Sequence, residues 1–251
     1  MFKIYALEYL WRNSNTEDLF LRDTKHQKIR MSYYFWVIQN DDLTVVVDTG
    51  VSESVGVKRN RSPTCKPEKL LAQIGIRPDQ VDHLILTHLH FDHASNLKLF
   101  PNATIYLQES ELSFWLSKHS QYPIFKDVVE PDDILEIVRL LYSGKVVLTE
   151  EHQALFPGIA LHKTGGHTPG LQVVEVDTVK GKAVIASDAV KTFENYQNGI
   201  PDPFLTDIPS VLNGYEKIKK ILGSSSHMFP GHDARIMKKY RTISEGIVVL
   251  D

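Results

Sequence analysis

Residues 87–93 run Thr87-His88-Leu89-His90-Phe91-Asp92-His93, directly after the apolar stretch Leu84-Ile85-Leu86. Three imidazoles and one carboxylate fall within six positions, and a strand followed by a sharp turn can aim all four at one point. Neutral imidazole suits zinc and other borderline cations, and a carboxylate adds to the charge that a site can neutralise. One catalytic zinc needs three protein ligands, so four donors this close together hint at two metals. A solvated His-rich loop is the plain alternative, and it loses weight because further donors stand in turns downstream.

The chain holds 11 His. His167 lies in Thr164-Gly165-Gly166-His167-Thr168-Pro169-Gly170, where three Gly and a Pro mark a tight loop. His232 lies in Phe229-Pro230-Gly231-His232-Asp233, after an apolar run that ends in a Pro-Gly turn. Asp188 follows Ala183-Val184-Ile185-Ala186-Ser187, at the end of an expected buried strand. A carboxylate in such a setting is costly unless a cation or hydrogen bonds compensate it; one oxygen to each of two metals would do so. Taken singly, each of these is as well read as a turn histidine or a capping aspartate. Jointly, beside the first cluster, they read as ligands.

The ordered set His88-x-His90-x-Asp92-His93, His167, Asp188, His232 resembles the metallo-beta-lactamase superfamily of dinuclear metallohydrolases. The resemblance runs from the Val47-Asp48-Thr49-Gly50 turn to the Pro230-Gly231-His232 turn. It implies an α/β fold, a four-layer αββα sandwich with the metals at one edge, where strand-end loops converge. It also implies one divalent ion, with zinc the expected metal, on His88, His90 and His167, and a second on Asp92, His93 and His232. Asp188 would bridge the two.

The remaining composition sets bounds. At 251 residues and 28.6 kDa the chain can bury a substantial core, as one large α/β domain or two small ones, and residues 1–251 are taken as one. Lys plus Arg number 28 against 31 Asp plus Glu, so no global basic field draws nucleic acid. The single Cys65 excludes an internal disulfide, fits a reducing compartment and cannot supply a Cys-rich zinc site. Neither a signal peptide nor a membrane span is read, and a cytoplasmic protein is expected. The expected partner is a small-molecule lactone or ester, with no nucleic acid and no membrane; a homodimer is allowed.

Strands are expected at Ile4–Tyr9, Tyr33–Ile38, Thr44–Val47, His83–Leu86, Thr104–Leu107, Val146–Leu148, Ile159–His162, Gln172–Val176, Ala183–Ala186 and His227–Phe229, all rich in β-branched or aromatic residues. Helices are expected at Pro67–Ile74, stopped by Gly75, at Ser110–Ser117 and at Ile208–Leu222, where one face is apolar. Residues 12–32 read as a long polar loop, uncommon unless it does something. Residues 109–143 carry aromatics and aliphatics at helical spacing, either a cap that lines an apolar pocket or ordinary surface helices that face the core.

Two divalent ions sharing a solvent ligand make hydroxide available near neutral pH, so no side-chain nucleophile is needed. Asp92 and Asp188 are the candidate catalytic groups, able to ferry a proton to the leaving group. Within the family resembled, Asp188 in place of Cys argues against antibiotic hydrolysis. His90 argues against a di-iron oxygen site, and the charge balance argues against RNA processing. What remains resembles the N-acyl homoserine lactonases, with quorum quenching as the implied role; a thioesterase of the glyoxalase II type, or hydrolysis of another small ester or amide, is the alternative. Members of the lactonase group carry a tyrosine three positions after the bridging aspartate, where this chain has Lys191. Lys191 is read either as a donor to substrate or as a solvated loop residue, with Phe193 and Tyr196 as further substrate contacts. Asp48, ending an apolar run, is expected to accept a hydrogen bond from a ligand histidine or a loop amide. The pocket is expected to be apolar, with no basic patch for a multiply charged substrate.

Overall fold

The computed structural model describes residues 1–225 and 227–250. Its strands are β1 (Lys3–Asn15), β2 (Lys28–Gln39), β3 (Thr44–Val47), β4 (His83–Ile85), β5 (Thr104–Gln108), β6 (Val146–Thr149), β7 (His152–Phe156), β8 (Ile159–Lys163), β9 (Gln172–Thr178), β10 (Gly181–Ser187), β11 (His227–Pro230), β12 (Arg241–Ser244) and β13 (Ile247–Val249). Between them stand helices α1 (Glu53–Arg59), α2 (Pro67–Gln73), α3 (Phe91–Ala94), α4 (Glu109–Trp115), α5 (Pro123–Lys126), α6 (Pro131–Tyr142), α7 (Phe193–Asn198), α8 (Ile208–Leu222) and α9 (Ile236–Lys239). Among the described residues these strands form two sheets, β12-β13-β1-β2-β3-β4-β5-β6 and β11-β10-β9-β8-β7.

Side-chain alternation builds the layers. Along β2, Tyr34, Trp36 and Ile38 join a core shared with Leu161, Val174, Val176, Ala183 and Ile185 of the other sheet. Their neighbours Tyr33, Phe35 and Val37 face the opposite way, into a second core with Leu70, Leu71, Leu112, Ile134 and Ile137 of α2, α4 and α6. On β10, Ala183 and Ile185 face the first sheet, whereas Val184 and Ala186 meet Val211, Tyr215 and Ile218 of α8. Three cores between four layers make the αββα sandwich expected from sequence. Strands buried on both faces have no polar face to show, which is why β2, β3 and β10 read as continuous apolar runs.

The expected elements are present, with Thr44–Val47 and Ile208–Leu222 at the expected bounds, most of the other strands longer than the sequence suggests, and β4, α2 and α4 one residue shorter. Three differences matter. The loop expected over 12–32 is partly a hairpin: β1 and β2 pair, with a register shift between Glu8 and Leu10, as far as Asn15 opposite Lys28, leaving only residues 16–27 as the connection. Backbone hydrogen bonding across the hairpin continues where the side chains turn polar, so hydrophobic alternation fades before the strands end. Strands β7, β12 and β13 were not anticipated, nor were α1, α3, α7 and α9; β7 and β12 are short edge strands with weak apolar pattern. Finally, the segment 109–143 does two jobs. Leu112, Ile134 and Ile137 pack into the core, while Trp115, Ile124, Phe125 and Val128 line a cavity.

The directions of the strands place the site. Strands β3, β4, β5 and β6 run parallel, and β10 runs parallel to β11. Asp48 leaves the end of β3, the cluster at residues 88–93 follows β4, Asp188 follows β10 and His232 follows β11. Ligand sites in sheets with parallel strands open at the carboxyl ends of those strands. Among the described residues no helix is long and apolar enough to cross a membrane.

Candidate metal centre

Two backbone positions at the site carry an unusual conformation. Asp48 has φ +62° and Ser187 has φ +46°, left-handed values that cost a side-chain-bearing residue energy unless its surroundings hold it there. What holds Asp48 is a closed set of hydrogen bonds, since it is fully buried. Its Oδ1 accepts from the Thr87 amide at 2.8 Å, and its Oδ2 accepts from Thr87 Oγ1 at 2.8 Å and from His93 Nδ1 at 2.8 Å. Asp48 thus accepts from a loop amide and from the ring of His93.

The seven side chains singled out in sequence converge. His88, His90 and His167 form one group whose nitrogens all lie within 4.8 Å of one another, and Asp92, His93 and His232 form a second on the same criterion. Asp188 stands between them. Its Oδ2 is 3.2 Å from His167 Nε2, while its Oδ1 is 3.0 Å from His232 Nε2 and 3.4 Å from His93 Nε2. All seven are buried or nearly so.

The partners of each ring fix its direction. Thr87 Oγ1 is 3.1 Å from His88 Nδ1, and the Ser32 carbonyl accepts from His232 Nδ1 at 2.8 Å. With His93 Nδ1 given to Asp48, three histidines have the same nitrogen engaged and present Nε2 to the centre. Among the described residues His88 Nε2, His93 Nε2, His232 Nε2 and Asp188 Oδ1 are buried with no hydrogen-bond partner. Such atoms are expensive to leave unpaired. A tetrahedral cation with bonds of about 2.0–2.1 Å sets its ligands roughly 3.3 Å apart, and the separations of 3.0–3.4 Å around Asp188 accord with that. The residues present therefore fit divalent cations.

Burial drives His88 and His90 well below the usual imidazole range, with neighbouring histidines adding to the effect, so both are neutral and free to ligate. Burial works against a charge on His93 as well, but Asp92, Asp188 and Asp48 outweigh it and hold the ring protonated when no cation takes the proton's place. Burial alone would raise Asp188; His232, Lys191 and His93 overcome it and keep the carboxylate ionised.

Lys191 is not a solvated loop lysine. It is 6% exposed, with Nζ 3.4 Å from Asp188 Oδ2 and 3.4 Å from Asp202 Oδ1. Burial disfavours its charge, yet Asp202 and Asp188 hold it above the ordinary lysine range. Phe193 and Tyr196 are elsewhere. Phe193 lies beneath Arg235 and Lys239, and Tyr196 packs on Tyr215. The aromatic beside Lys191 is Phe204, its ring centroid 5.0 Å from Nζ.

Two cavities open on the cluster and share His90, His167, Val128 and Phe204. The first, about 150 Å³, is walled by Trp115, Ile124, Phe125 and Leu205. The second, about 260 Å³, is bordered by Arg12, Arg59, Arg61 and Lys191, together with Tyr33 and Asp127. The expectation that no basic patch flanks the site is therefore corrected. The cations come from the β1–β2 hairpin, from the end of α1 and the turn after it, and from the loop after β10, and a near-neutral total charge conceals their meeting.

Sequence reasoning also missed Glu111, which is fully buried. Its Oε1 accepts from the Leu89 amide at 3.0 Å and from Trp115 Nε1 at 2.7 Å, and its Oε2 accepts from the Gly170 amide at 3.0 Å. One carboxylate thus ties the His88–His90 loop to the His167 loop. An acidic residue on the same buried face of α4 as Leu112 and Trp115 was the available signal.

A family model described as the Metallo-beta-lactamase superfamily matches residues 30–224. An N-acyl homoserine lactonase from a Bacillus species is 26% identical over 226 residues, 84% of each chain. Another, from Agrobacterium fabrum, is 29% identical over 181 residues, 64% of each chain. Among solved structures, a quorum-quenching N-acyl homoserine lactone lactonase superposes with a TM-score of 0.77 at 23% identity over 96% of both chains. A dizinc quorum-quenching lactonase in complex with a product does so with a TM-score of 0.74 at 16% identity, over 99% of this chain and 93% of that one. At these identities the structural likeness speaks to fold.

Proposed function

This chain belongs to the metallo-beta-lactamase superfamily, and from that premise we propose that it is a dinuclear metal-dependent hydrolase that opens a lactone ring, in the manner of the N-acyl homoserine lactonases. The observation that carries the reading is the placement of Asp188, one oxygen toward His167 and the other toward His93 and His232. His88, His90 and His167 would hold one ion, Asp92, His93 and His232 the other, and Asp188 both. A donor set of five imidazoles and two carboxylates, without thiolate, suits zinc.

Bound there, two divalent ions would supply a hydroxide nucleophile near neutral pH and the Lewis acidity to polarise a carbonyl. The chain's own groups do the rest. Asp92 and Asp188 border the cavity and are the carboxylates placed to take up a proton and return it to the ring oxygen as its bond to the carbonyl carbon breaks. Lys191 keeps Asp188 ionised and offers the one ammonium donor on that wall. Trp115, Phe125, Val128 and Phe204 line the smaller cavity and give an acyl chain an apolar surface.

Support for lactone opening over thioester cleavage comes from the lactonase names of the relatives. The test is turnover of a homoserine lactone series and of S-lactoylglutathione by metal-replete protein, with the metal content measured on the same sample. Two metals per chain and lactone turnover are expected. Brisk thioester cleavage without lactone turnover would move the assignment to the thioesterases, and a single metal would remove the dinuclear reading.

A further inference from the structure

The larger cavity is bordered by four cationic side chains, and two of them are already committed. Lys191 faces Asp188 and Asp202. Arg59 donates from Nε to Glu130 at 2.5 Å and from its two terminal nitrogens to the carbonyls of Asp127 and Val129, and its guanidinium lies over the Phe91 ring. That leaves Arg12 and Arg61.

Arg12 donates from Nε to Tyr33 Oη at 2.9 Å and forms an ion pair through Nη2 with Asp18 Oδ2 at 3.4 Å. Its Nη1 meets no acceptor among the described residues. Arg61 donates from Nη1 to the carbonyl of Asn60 at 2.9 Å, and no described carboxylate lies within ion-pair distance of it. Both guanidiniums line the cavity wall that Tyr33 shares. Tyr33 in turn packs edge-on against His232, ring centroids 4.7 Å apart. Arg12 is therefore a neighbour of the metal centre through a single aromatic side chain, and Arg61 lines the same cavity as Asp92 and Asp188.

The acids on the same wall do not neutralise them. Asp92 and Asp188 are directed at the histidine cluster, and Asp127 is an exposed residue at the rim. One guanidinium paired only with Asp18 and one with no described carboxylate in ion-pair distance stand beside a centre built for two divalent cations and repel it, and the repulsion is felt more in a cleft than in bulk water. An anionic group between them and the centre would turn that repulsion into attraction. Guanidinium is also the side chain whose planar fork matches the oxygens of a carboxylate or phosphate.

We propose that the natural substrate carries an oxyanion, a carboxylate or a phosphate, on the part that extends into the larger cavity, where Arg12 and Arg61 bind it. The inference rests on the hydrolase reading above and narrows it. The substrate is an ester or lactone with one apolar end, against Trp115 and Phe125, and one anionic end. A plain alkanoyl homoserine lactone has the first end and lacks the second.

The experiment pairs substrates that differ only in that group: a lactone bearing a free carboxylate, its methyl-capped neutral form and its phosphorylated counterpart. Each is assayed with wild-type, Arg61→Gln, Arg12→Gln and Arg61→Lys proteins loaded with metal. A charged hydrogen bond corresponds to about tenfold or more in binding, so wild type should prefer an anionic lactone by at least that factor, mainly through KM. Arg61→Gln and Arg12→Gln should each shrink the preference, and Arg61→Lys should retain part of it. A preference for carboxylate over phosphate, or the reverse, identifies which oxyanion the site takes. Equal turnover of charged and neutral lactones, or a preference unchanged in Arg61→Gln, overturns the inference and leaves the lactonase reading intact. A second readout is independent of turnover: calorimetric binding of succinate and of inorganic phosphate to metal-loaded wild type and Arg61→Gln. If no lactone or ester is hydrolysed, weaker anion binding in the variant still upholds the oxyanion site while the reaction assignment falls, and equal binding removes the site.

Discussion

Asp48 Oδ2 accepts from His93 Nδ1 at 2.8 Å, and neither side chain touches bulk solvent. Because the same carboxylate also takes the amide and hydroxyl of Thr87, it couples the orientation of His93 to the backbone of the turn that carries His88. Asp48→Asn should keep the fold, since Asn tolerates the left-handed backbone, but it loses the charge that makes His93 a better ligand. Outer-shell changes of this kind cost about 10–100-fold in metal affinity. Competition with a chelator measures it; an unchanged affinity would reduce Asp48 to a structural turn residue.

His90 and Asp188 stand outside the helices, the strands and the three cores, so their removal should separate chemistry from folding. His90→Ala and Asp188→Ala should abolish hydrolysis while circular dichroism stays near wild type. Metal stabilises the folded state by mass action, so both variants should also lose most of the melting-temperature difference that a chelator produces in wild type. Asp188→Asn preserves shape and one acceptor oxygen. Wild-type turnover in that variant would take Asp188 out of both the bridging and the proton-transfer roles.

Glu111 predicts a different signature. Glu111→Gln leaves the side chain's volume but replaces one acceptor oxygen with a donor, facing either the Leu89 amide and Trp115 or the Gly170 amide. A buried group left unpaired costs about 1–3 kcal/mol, and here the loss falls on two loops that each carry ligands. Stability and metal affinity should drop together, with Glu111→Ala worse than Glu111→Gln. A stability loss with metal affinity unaltered would confine Glu111 to packing.

How much of this was readable in the chain depends on how locally each feature is encoded. His88, His90, Asp92 and His93 share one turn, so their common purpose is visible in seven letters. His167, Asp188 and His232 each follow an apolar run or a glycine turn, and order alone joins them to the first cluster. The arginine wall is different. Arg12 leaves a strand, while Arg59 and Arg61 flank the end of a helix, and only the β1–β2 hairpin and the α1 turn bring them together. Phe193 illustrates the limit from the other side. A capping box with Thr192 Oγ1 accepting from the Asn195 amide, and the Phe193 amide donating to Asp233 at 2.9 Å, fix the start of α7, and the Phe193 ring lies against Arg235 and Lys239. Phe204, after a Pro-Asp-Pro stretch with no periodicity to mark it, takes the place by Lys191.

Asp133 gives a test that depends on pH. Burial, then Glu130 and Asp132, push its carboxyl up to about 7, and its Oδ2 has no hydrogen-bond partner among the described residues. A folded-state value above the unfolded one near 3.8 means that the native state holds the proton more tightly. The resulting stability is fully present below about pH 4 and disappears as pH rises through about 7. Asp133→Asn should therefore raise the melting temperature at pH 8, make less difference at pH 6 and flatten the decline in between. A parallel decline in the variant would assign it to other groups.

The smaller cavity makes the last prediction quantitative. Its walls, Trp115, Ile124, Phe125 and Leu205, are apolar, and it is finite, at about 150 Å³. Burying each methylene of an acyl chain is worth about 0.8 kcal/mol, roughly fourfold in binding. Across homoserine lactones of increasing chain length, kcat/KM should climb by about that factor per carbon, then level off when the cavity is full. Trp115→Ala should move the plateau to longer chains, because it enlarges the cavity from the side that His90 shares, ring centroids 5.7 Å apart. A chain-length profile that is flat from the start would mean that the acyl end lies outside this cavity. A profile that rises without a plateau would mean that it runs along the surface past Ile124, which is largely exposed. Either result would relocate the apolar end of the substrate while leaving the metal centre as described.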